Sequence, residues 1–327
     1  MTKIIGRKFN IGLGKETARG TTVAAAFWIP KMDLDIDDKI DFATDDSSIG
    51  VIEDAISQDI TKKYSEIAIG GRVYDKSFGL ILLSTFGTET SSTLVETGVY
   101  DHLFNVGQTS QHTSLTVSAA DPNGGTGLRY TLAMTDQLDV EFEVGKYLTF
   151  KASMRANANT ATANTAAFVA ENGFRPQDGT VKFASALSGL TAASAIQVKK
   201  GSISIKKNLQ DDFIIGNVVA VDRLNTVFQV EGTLELTYED RTYIDTDMLA
   251  DLAQAMRITF ANTSVLIGAT KSPQLEIDLG KVKIQEVSRK MSNNDVVLQT
   301  VKFKGFYSIA DTMMIKATLR NTQTAVY

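Results

Sequence analysis

Gln137-Leu138-Asp139-Val140-Glu141-Phe142-Glu143-Val144 alternates apolar and polar residues from end to end. Successive side chains of an extended strand point to opposite faces. Leu138, Val140, Phe142 and Val144 therefore fall on one side and the three acids on the other. The pattern predicts a strand with one face in a core and one in water. Leu128-Arg129-Tyr130-Thr131-Leu132 upstream and Leu148-Thr149-Phe150 downstream alternate in the same way. Asp121-Pro122-Asn123-Gly124-Gly125 is a turn signal, because Pro, Asn and Gly supply the dihedrals of a tight reversal. Residues 112–144 thus predict a meander.

The second half is written in the same style. Phe228-Gln229-Val230-Glu231-Gly232-Thr233-Leu234-Glu235-Leu236 alternates, and Leu275-Glu276-Ile277-Asp278-Leu279, Val282-Lys283-Ile284 and Met313 to Leu319 read as later strands. Ser292-Asn293-Asn294-Asp295 is the turn before a strand through Phe303. Helical spacing appears twice. Asp245 or Thr246 can cap a helix whose Met248, Leu249, Leu252, Ala255 and Met256 share one face. In the first half Phe78, Leu82 and Phe86 recur at i, i+4 and i+8 between Ser77 and Phe86. Each follows a similar strand, Ile67-Ala68-Ile69 or Leu234-Glu235-Leu236.

A common order of landmarks runs through both halves. Met32-Asp33-Leu34-Asp35-Ile36, Asp45-Asp46-Ser47-Ser48-Ile49-Gly50 and Tyr147-Leu148-Thr149-Phe150-Lys151-Ala152 form the first series. Gly201-Ser202-Ile203-Ser204-Ile205, Asp211-Asp212-Phe213-Ile214-Ile215-Gly216 and Thr300-Val301-Lys302-Phe303-Lys304-Gly305 form the second. The expected organisation is an arm over 1–30, a β module over 31–155, a connector over 156–197 and a second β module over 198–327. Gly12, Gly14 and Gly20 mark the arm as turn-rich, and the Ala/Asn/Thr run at 156–165 opens the connector. The fold class expected is mainly β: two tandem sandwich or barrel modules, each with one flanking helix and long loops.

Composition narrows the chemistry. The chain has 327 residues, 43% hydrophobic and 22% charged, a globular balance. It has no cysteine, which removes disulfides and thiolate metal sites. No apolar run approaches the ~18–20 residues that cross a bilayer, and Ile4-Ile5-Gly6-Arg7-Lys8 is not a signal-peptide core. The expected setting is cytosolic, with no membrane partner. The net charge of −5 is uneven: residues 31–60 hold nine Asp and one Glu against two Lys, so the remainder is slightly basic. Neither part offers a basic grip on nucleic acid. The acidic segment reads either as a solvated loop or as a surface past which DNA slides.

Catalytic constellations are missing from the sequence. The two histidines, His102 and His112, read as lone core or surface residues. Gly12-Leu13-Gly14-Lys15-Glu16-Thr17 lacks the phosphate-loop spacing, with Phe9 where glycine is needed and Glu16 where Ser or Thr is needed. Asp33-Leu34-Asp35-Ile36-Asp37 starts like a calcium loop, but Asp38 and Thr44 stand at its glycine and closing glutamate positions. Asp139, Glu141 and Glu143 could be paired glycosidic carboxylates, though acids on one strand face more simply form a solvated surface. No cofactor or metal is expected.

Four stretches carry a family likeness: Gly14 to Thr21 with Phe27-Trp28-Ile29-Pro30; Val99-Tyr100-Asp101-His102-Leu103-Phe104 leading to Ser114-Leu115-Thr116-Val117; Phe228 to Tyr238; and Asn294 to Phe303 followed by Leu319-Arg320-Asn321-Thr322 and Tyr327. Together they resemble the major tail tube protein of long-tailed, siphovirus-type bacteriophages. The resemblance implies a structural virion protein, not an enzyme, whose stacked rings form a hollow tube that conducts viral DNA. It is expected to assemble in the host cytoplasm into a flexible, non-contractile tail. Duplicated relatives place three two-module chains in a pseudo-sixfold ring. The implied partners are further copies of the chain, a tape measure protein, tail terminator and distal tail proteins, and double-stranded DNA in transit. On that footing Asp139, Glu141, Glu143, Asp33 and Asp35 are expected to face the lumen. Asp37, Asp45, Asp46, Glu53, Asp54, Phe27 and Trp28 are expected at contacts between chains. A β-rich virion binding or decoration module and a glycan-active enzyme are the competing expectations.

Overall fold

A computed structural model describes residues 3–122, 126–324 and 326–327; residues 123–125 of the expected Asp121–Gly125 turn lie outside the described residues. The chain is strand-rich throughout. In order the strands are β1 (Asn10–Lys15), β2 (Phe27–Ile29), β3 (Lys31–Asp45), β4 (Ser57–Arg72), β5 (Gly87–Glu96), β6 (Val99–Val106), β7 (Leu115–Ala120), β8 (Leu128–Glu143), β9 (Thr149–Asn157) and β10 (Thr160–Ala161). They continue as β11 (Gly179–Ala184), β12 (Ala195–Ile196), β13 (Val198–Lys206), β14 (Leu209–Asp212), β15 (Asp222–Asn225), β16 (Gln229–Thr237), β17 (Gln254–Ala261), β18 (Gln274–Lys290), β19 (Leu298–Phe306) and β20 (Ile315–Asn321). The helix α1 (Phe78–Phe86) follows β4.

Pairing follows one order twice. The first half runs β2–β1–β7–β8–β9–β4–β3, and the second runs β12–β11–β17–β18–β19–β16–β13, all antiparallel. β10 adds to β8 as β20 adds to β18. Three bulges recur at matching places: Lys31/Asp33 and Val198/Lys200, Leu115/Val117 and Gln254/Met256, Thr135/Gln137 and Ile284/Glu286. The halves are joined where β8 pairs with β13 and where β6 pairs with β20. Among the described residues the β5–β6 hairpin has no second-half counterpart. One hydrophobic cluster spans the chain, from Ile11, Ile69 and Leu138 to Ile203, Leu234 and Leu319.

Several expectations shift. The arm carries β1 and β2, and Ile11 and Leu13 are wholly buried, because β7 offers an edge to pair with. The connector carries β11 and β12, which occupy in the second half the places of β1 and β2. Its Ala/Asn/Thr run is tied down by side-chain amides. Asn164 donates to Ala119 O and Leu128 O and accepts from Arg129. The first-half helix forms as expected and is buried at every position, ending at Gly87, whose φ of 88° only glycine adopts readily. The second-half helix does not extend to Met256. A π-helix covers Tyr243–Met248 alone, and Leu249 and Leu252 are exposed. Asp251 turns the chain with φ 52°, after which Met256, Ile258 and Phe260 alternate into β17, so sheet pairing takes the residues that helical spacing had claimed. Val144 lies outside the core as well: β8 ends at Glu143 and Gly145, at φ 84°, begins the turn.

Candidate functional site

The acid-bearing face of the sheet is built by strand register. Asp33 lies opposite Gly70, Gly70 opposite Lys151, Lys151 opposite Asp139, and Asp139 opposite Ser204. Directly opposed residues point to the same face, so Asp33 and Asp139 share the side turned away from Ile69, Leu138 and Ala152. Asp35, Asp37 and Glu141 join them, and Asp33, Asp35, Asp139 and Glu141 line one open groove together with Arg7, Lys31 and Lys151. Glu143 lies at the end of this face, where hydrogen bonds from Lys146 and Lys200 hold its carboxyl below the usual range.

The face is not uniformly acidic. Lys39 and Arg155 both pair with Glu66, Lys304 pairs with Glu231 at 3.3 Å, and Lys302 with Glu286 at 2.7 Å. Among the described residues, Asp33, Asp35, Asp139 and Glu141 make no salt bridge. The uncompensated carboxylates thus gather over the first half.

The residues expected at contacts divide into two groups. Asp45, Asp46, Glu53 and Asp54 stand on or beyond the ends of β3 and β4, and every residue from 42 to 62 is exposed. β4 meets β9 only from Tyr64 onward, so this stretch is a two-stranded ribbon that projects from the body. Asp37 is exposed on β3, whose outer edge no other strand among the described residues covers. Trp28, by contrast, is buried within its own chain over Gly12, and Phe27 packs half-buried against the Tyr327 ring at 5.9 Å.

Sequence reasoning missed the residues that lock the halves together. The buried Glu16 accepts from Gly20 N, Ser114 Oγ, Thr116 Oγ1 and Leu132 N at 2.6–3.0 Å, which fixes the loop after β1. That loop aims Arg19 across to the second half, where it donates to Asp222 and to Arg223 O. Arg223 itself is wholly buried and donates to Asp211, Leu132 O and Arg155 O. Lys207, also wholly buried, donates to Ser84 O at 2.6 Å, and burial pushes its pKa down to about 7. Burial likewise lowers His112 to about 4, with Lys207 and Arg19 adding repulsion. His102 is a core residue held by Glu89, Asn321 and Gln323. The only available signal was Glu16 and Arg19 within a glycine-bounded loop.

Among the described residues no group of three or more His, Asp or Glu side chains could hold a metal ion. What the site offers is surface: a charged sheet face, two open sheet edges and a projecting ribbon. The family model of the phage tail tube protein matches residues 6–305. The chain belongs to the phage tail tube protein family. This family is structural, and the tail tube fold is here the large antiparallel sheet just described. Among curated proteins no match is found. No helix among the described residues of this tail tube protein is long and apolar enough to cross a membrane.

Proposed function

We propose that the chain closes into rings of three and that the rings stack into a hollow tube through which double-stranded DNA passes. The observation that carries this is the joint between β8 and β13. There the last strand of one four-strand series, β3–β4–β9–β8, pairs with the first strand of the next, β13–β16–β19–β18. At the two ends of the combined sheet the same edges stand open: among the described residues β3 pairs only with β4, and β18 from Lys283 to Lys290 only with β19. Open edges are ready templates for another strand. Repeating the internal joint between chains makes every joint alike, and with two modules per chain three chains complete a pseudo-sixfold ring.

The repeat also gives a register. The matching bulges equate Glu141 with Lys290 and Ser202 with Asp35, and Glu141 opposes Ser202 in the internal joint. Lys290 of one chain then opposes Asp35 of the next, and by the same rule Glu286 opposes Lys39. Opposite charges across a strand pair stabilise it, and like charges oppose it.

In such a ring the outward sheet face lines the channel, with Asp33, Asp35, Asp139, Glu141 and Glu143 among its residues. Carboxylates do not neutralise phosphates, so they release no counterions and hold no DNA in place. Asp37, Asp45, Asp46, Glu53, Asp54 and Phe27 lie at contacts between chains, with Trp28 supporting Phe27 from beneath. Tape measure, terminator and distal tail proteins meet the ends of a flexible virion tail assembled in the host cytoplasm. Charge exchange tests the ring. D35K alone should abolish annular particles in negative-stain images, and D35K combined with K290E should restore them. Unimpaired rings from D35K would refute the proposed joint.

A further inference from the structure

The repeat extends beyond the strands. The pairings of β1 with β7 and of β11 with β17 equate Leu13 with Phe183 and Ile11 with Val181, and so Phe9 with Gly179. Just before these residues, the short 3-10 helix Gly6–Lys8 matches another at Pro176–Asp178. Equivalent hydrogen bonds close the two: Lys8 N donates to Ile5 O at 3.0 Å, and Asp178 N to Arg175 O at 3.1 Å. Ile4 therefore corresponds to Phe174, and Lys3 to Gly173.

In the second half this leading segment is docked on the first half. Phe174 is wholly buried, and its N–H donates to Val73 O at 3.3 Å. Gly173 bridges to Tyr74 in antiparallel register. Asp75 N donates to Asn172 O, and the Asp75 carboxylate accepts from Asn172 N and Nδ2 at 2.8 Å. The receiving residues Val73, Tyr74 and Asp75 lie between β4 and α1. Because Lys31 opposite Gly71 matches Val198 opposite Leu236, their equivalents are Tyr238, Glu239 and Asp240, between β16 and the π-helix. A shared bond supports the match: Val73 N donates to Leu148 O at 3.0 Å, and Tyr238 N to Val297 O at 2.9 Å.

Both counterparts stand open in a single chain. The second module's leading segment reaches back onto the module before it, and the first module has none before it in its own chain. Ile4 and Ile5 are accordingly 46% and 60% exposed. Glu239 and Asp240 are exposed as well. The two surfaces are complementary in charge, since residues 3–8 hold Lys3, Arg7 and Lys8 and no acid. We infer that residues 3–8 of one chain dock on residues 238–240 of a second copy, the neighbour whose β18 lies beside its β3. Ile4 takes the covered place that Phe174 takes inside the chain, Ile4 N donates to Tyr238 O, and Lys3 and Lys8 meet Glu239 and Asp240. Complementary charge across a contact favours the right partner and register over wrong ones. Each chain thus grips its neighbour at a second point, apart from the joint between β18 and β3.

This inference rests on the ring reading, and two measurements separate their failures. First, the chain has no cysteine, so K3C/E239C carries a single thiol pair. The equivalent Gly173 and Tyr74 form an antiparallel bridge, a separation that a disulfide can span. Under oxidation, assembled K3C/E239C should yield covalent multimers that end at the number of chains in one ring, and each single variant none beyond a dimer. Rings without multimers, or a ladder that runs on past one ring, would overturn the docking while leaving the ring reading intact. Second, E239K/D240K should lose annular particles in negative-stain images while the urea midpoint of the dilute chain stays where it was. Adding K3E/K8E in the same chain should restore the particles. Unimpaired rings from E239K/D240K would overturn the inference. An unaltered chain that makes no rings would sink the ring reading instead.

Discussion

Lys207→Met should make the folded chain more stable at neutral pH and remove most of its gain in stability on going alkaline. Lys207 has no exposed surface, and its ammonium donates to Ser84 O in the last turn of α1. Burial lowers its pKa from 10.5 to about 7. A lysine held below its unfolded value binds fewer protons in the folded chain than in the unfolded one between those two pH values. Stability therefore rises with pH through the window from about 7 to 10.5 and is level on either side. At ~1.36 kcal/mol per pKa unit, the cost at pH 7 is roughly 4 kcal/mol, falling to about 2 kcal/mol at pH 9. Methionine removes this cost, but it leaves the Ser84 carbonyl without its donor, a loss of about 1–3 kcal/mol. The net expectation at pH 7 is a variant more stable by ~1–3 kcal/mol. The sharper readout is the difference in pH dependence. Urea denaturation of dilute, unassembled protein at pH 7 and 9 should show about 2 kcal/mol more gain for the natural chain than for the variant. Equal gains would refute the reasoning, because they would mean that Lys207 titrates at its ordinary value.

Two further perturbations test the lock between the halves. His112, lowered to about 4, is neutral when folded, so stability is lost as pH falls from about 6.5 to 4. The loss through this group is ~3 kcal/mol, and H112Q should lack it in acid denaturation. Glu16→Gln should cost about 3 kcal/mol in chemical denaturation. Hydroxyls can turn to accept from an amide, but Gly20 N and Leu132 N donate to different oxygens of Glu16, so either amide orientation opposes one N–H with another. A loss below ~1 kcal/mol would remove Glu16 from its structural role.

Strand identity was legible in the sequence wherever one face of a strand is buried, because period-two patterning records that burial directly. Leu138, Val140 and Phe142 are examples. It was less legible where a strand is buried on both faces or where its partner is distant. β1, with Ile11 to Gly14 all buried, shows no alternation and read as an arm, and β11 read as connector for want of a visible partner in β17. Helical spacing misled at Ala255 and Met256, where four-residue and two-residue periods overlap. The landmark series differs in register from the sheet pairings. It set Phe150 beside Phe303, whereas the pairings through β4 and β16 set Met154 beside Phe303. Charge was visible as composition, but its compensation was not. Lys304 is far from Glu231 in sequence and meets it only because β16 and β19 pair. The locking roles of Glu16, Arg19, Lys207 and Arg223 depend on long-range contacts with no periodic signature.

The most direct test of the account is electron cryo-microscopy of rods assembled from the purified chain. It should resolve rings of three chains, with β18 of each paired antiparallel to β3 of the next and Lys290 opposite Asp35. Six full chains in a ring, or unpaired β3 and β18 edges, would contradict it.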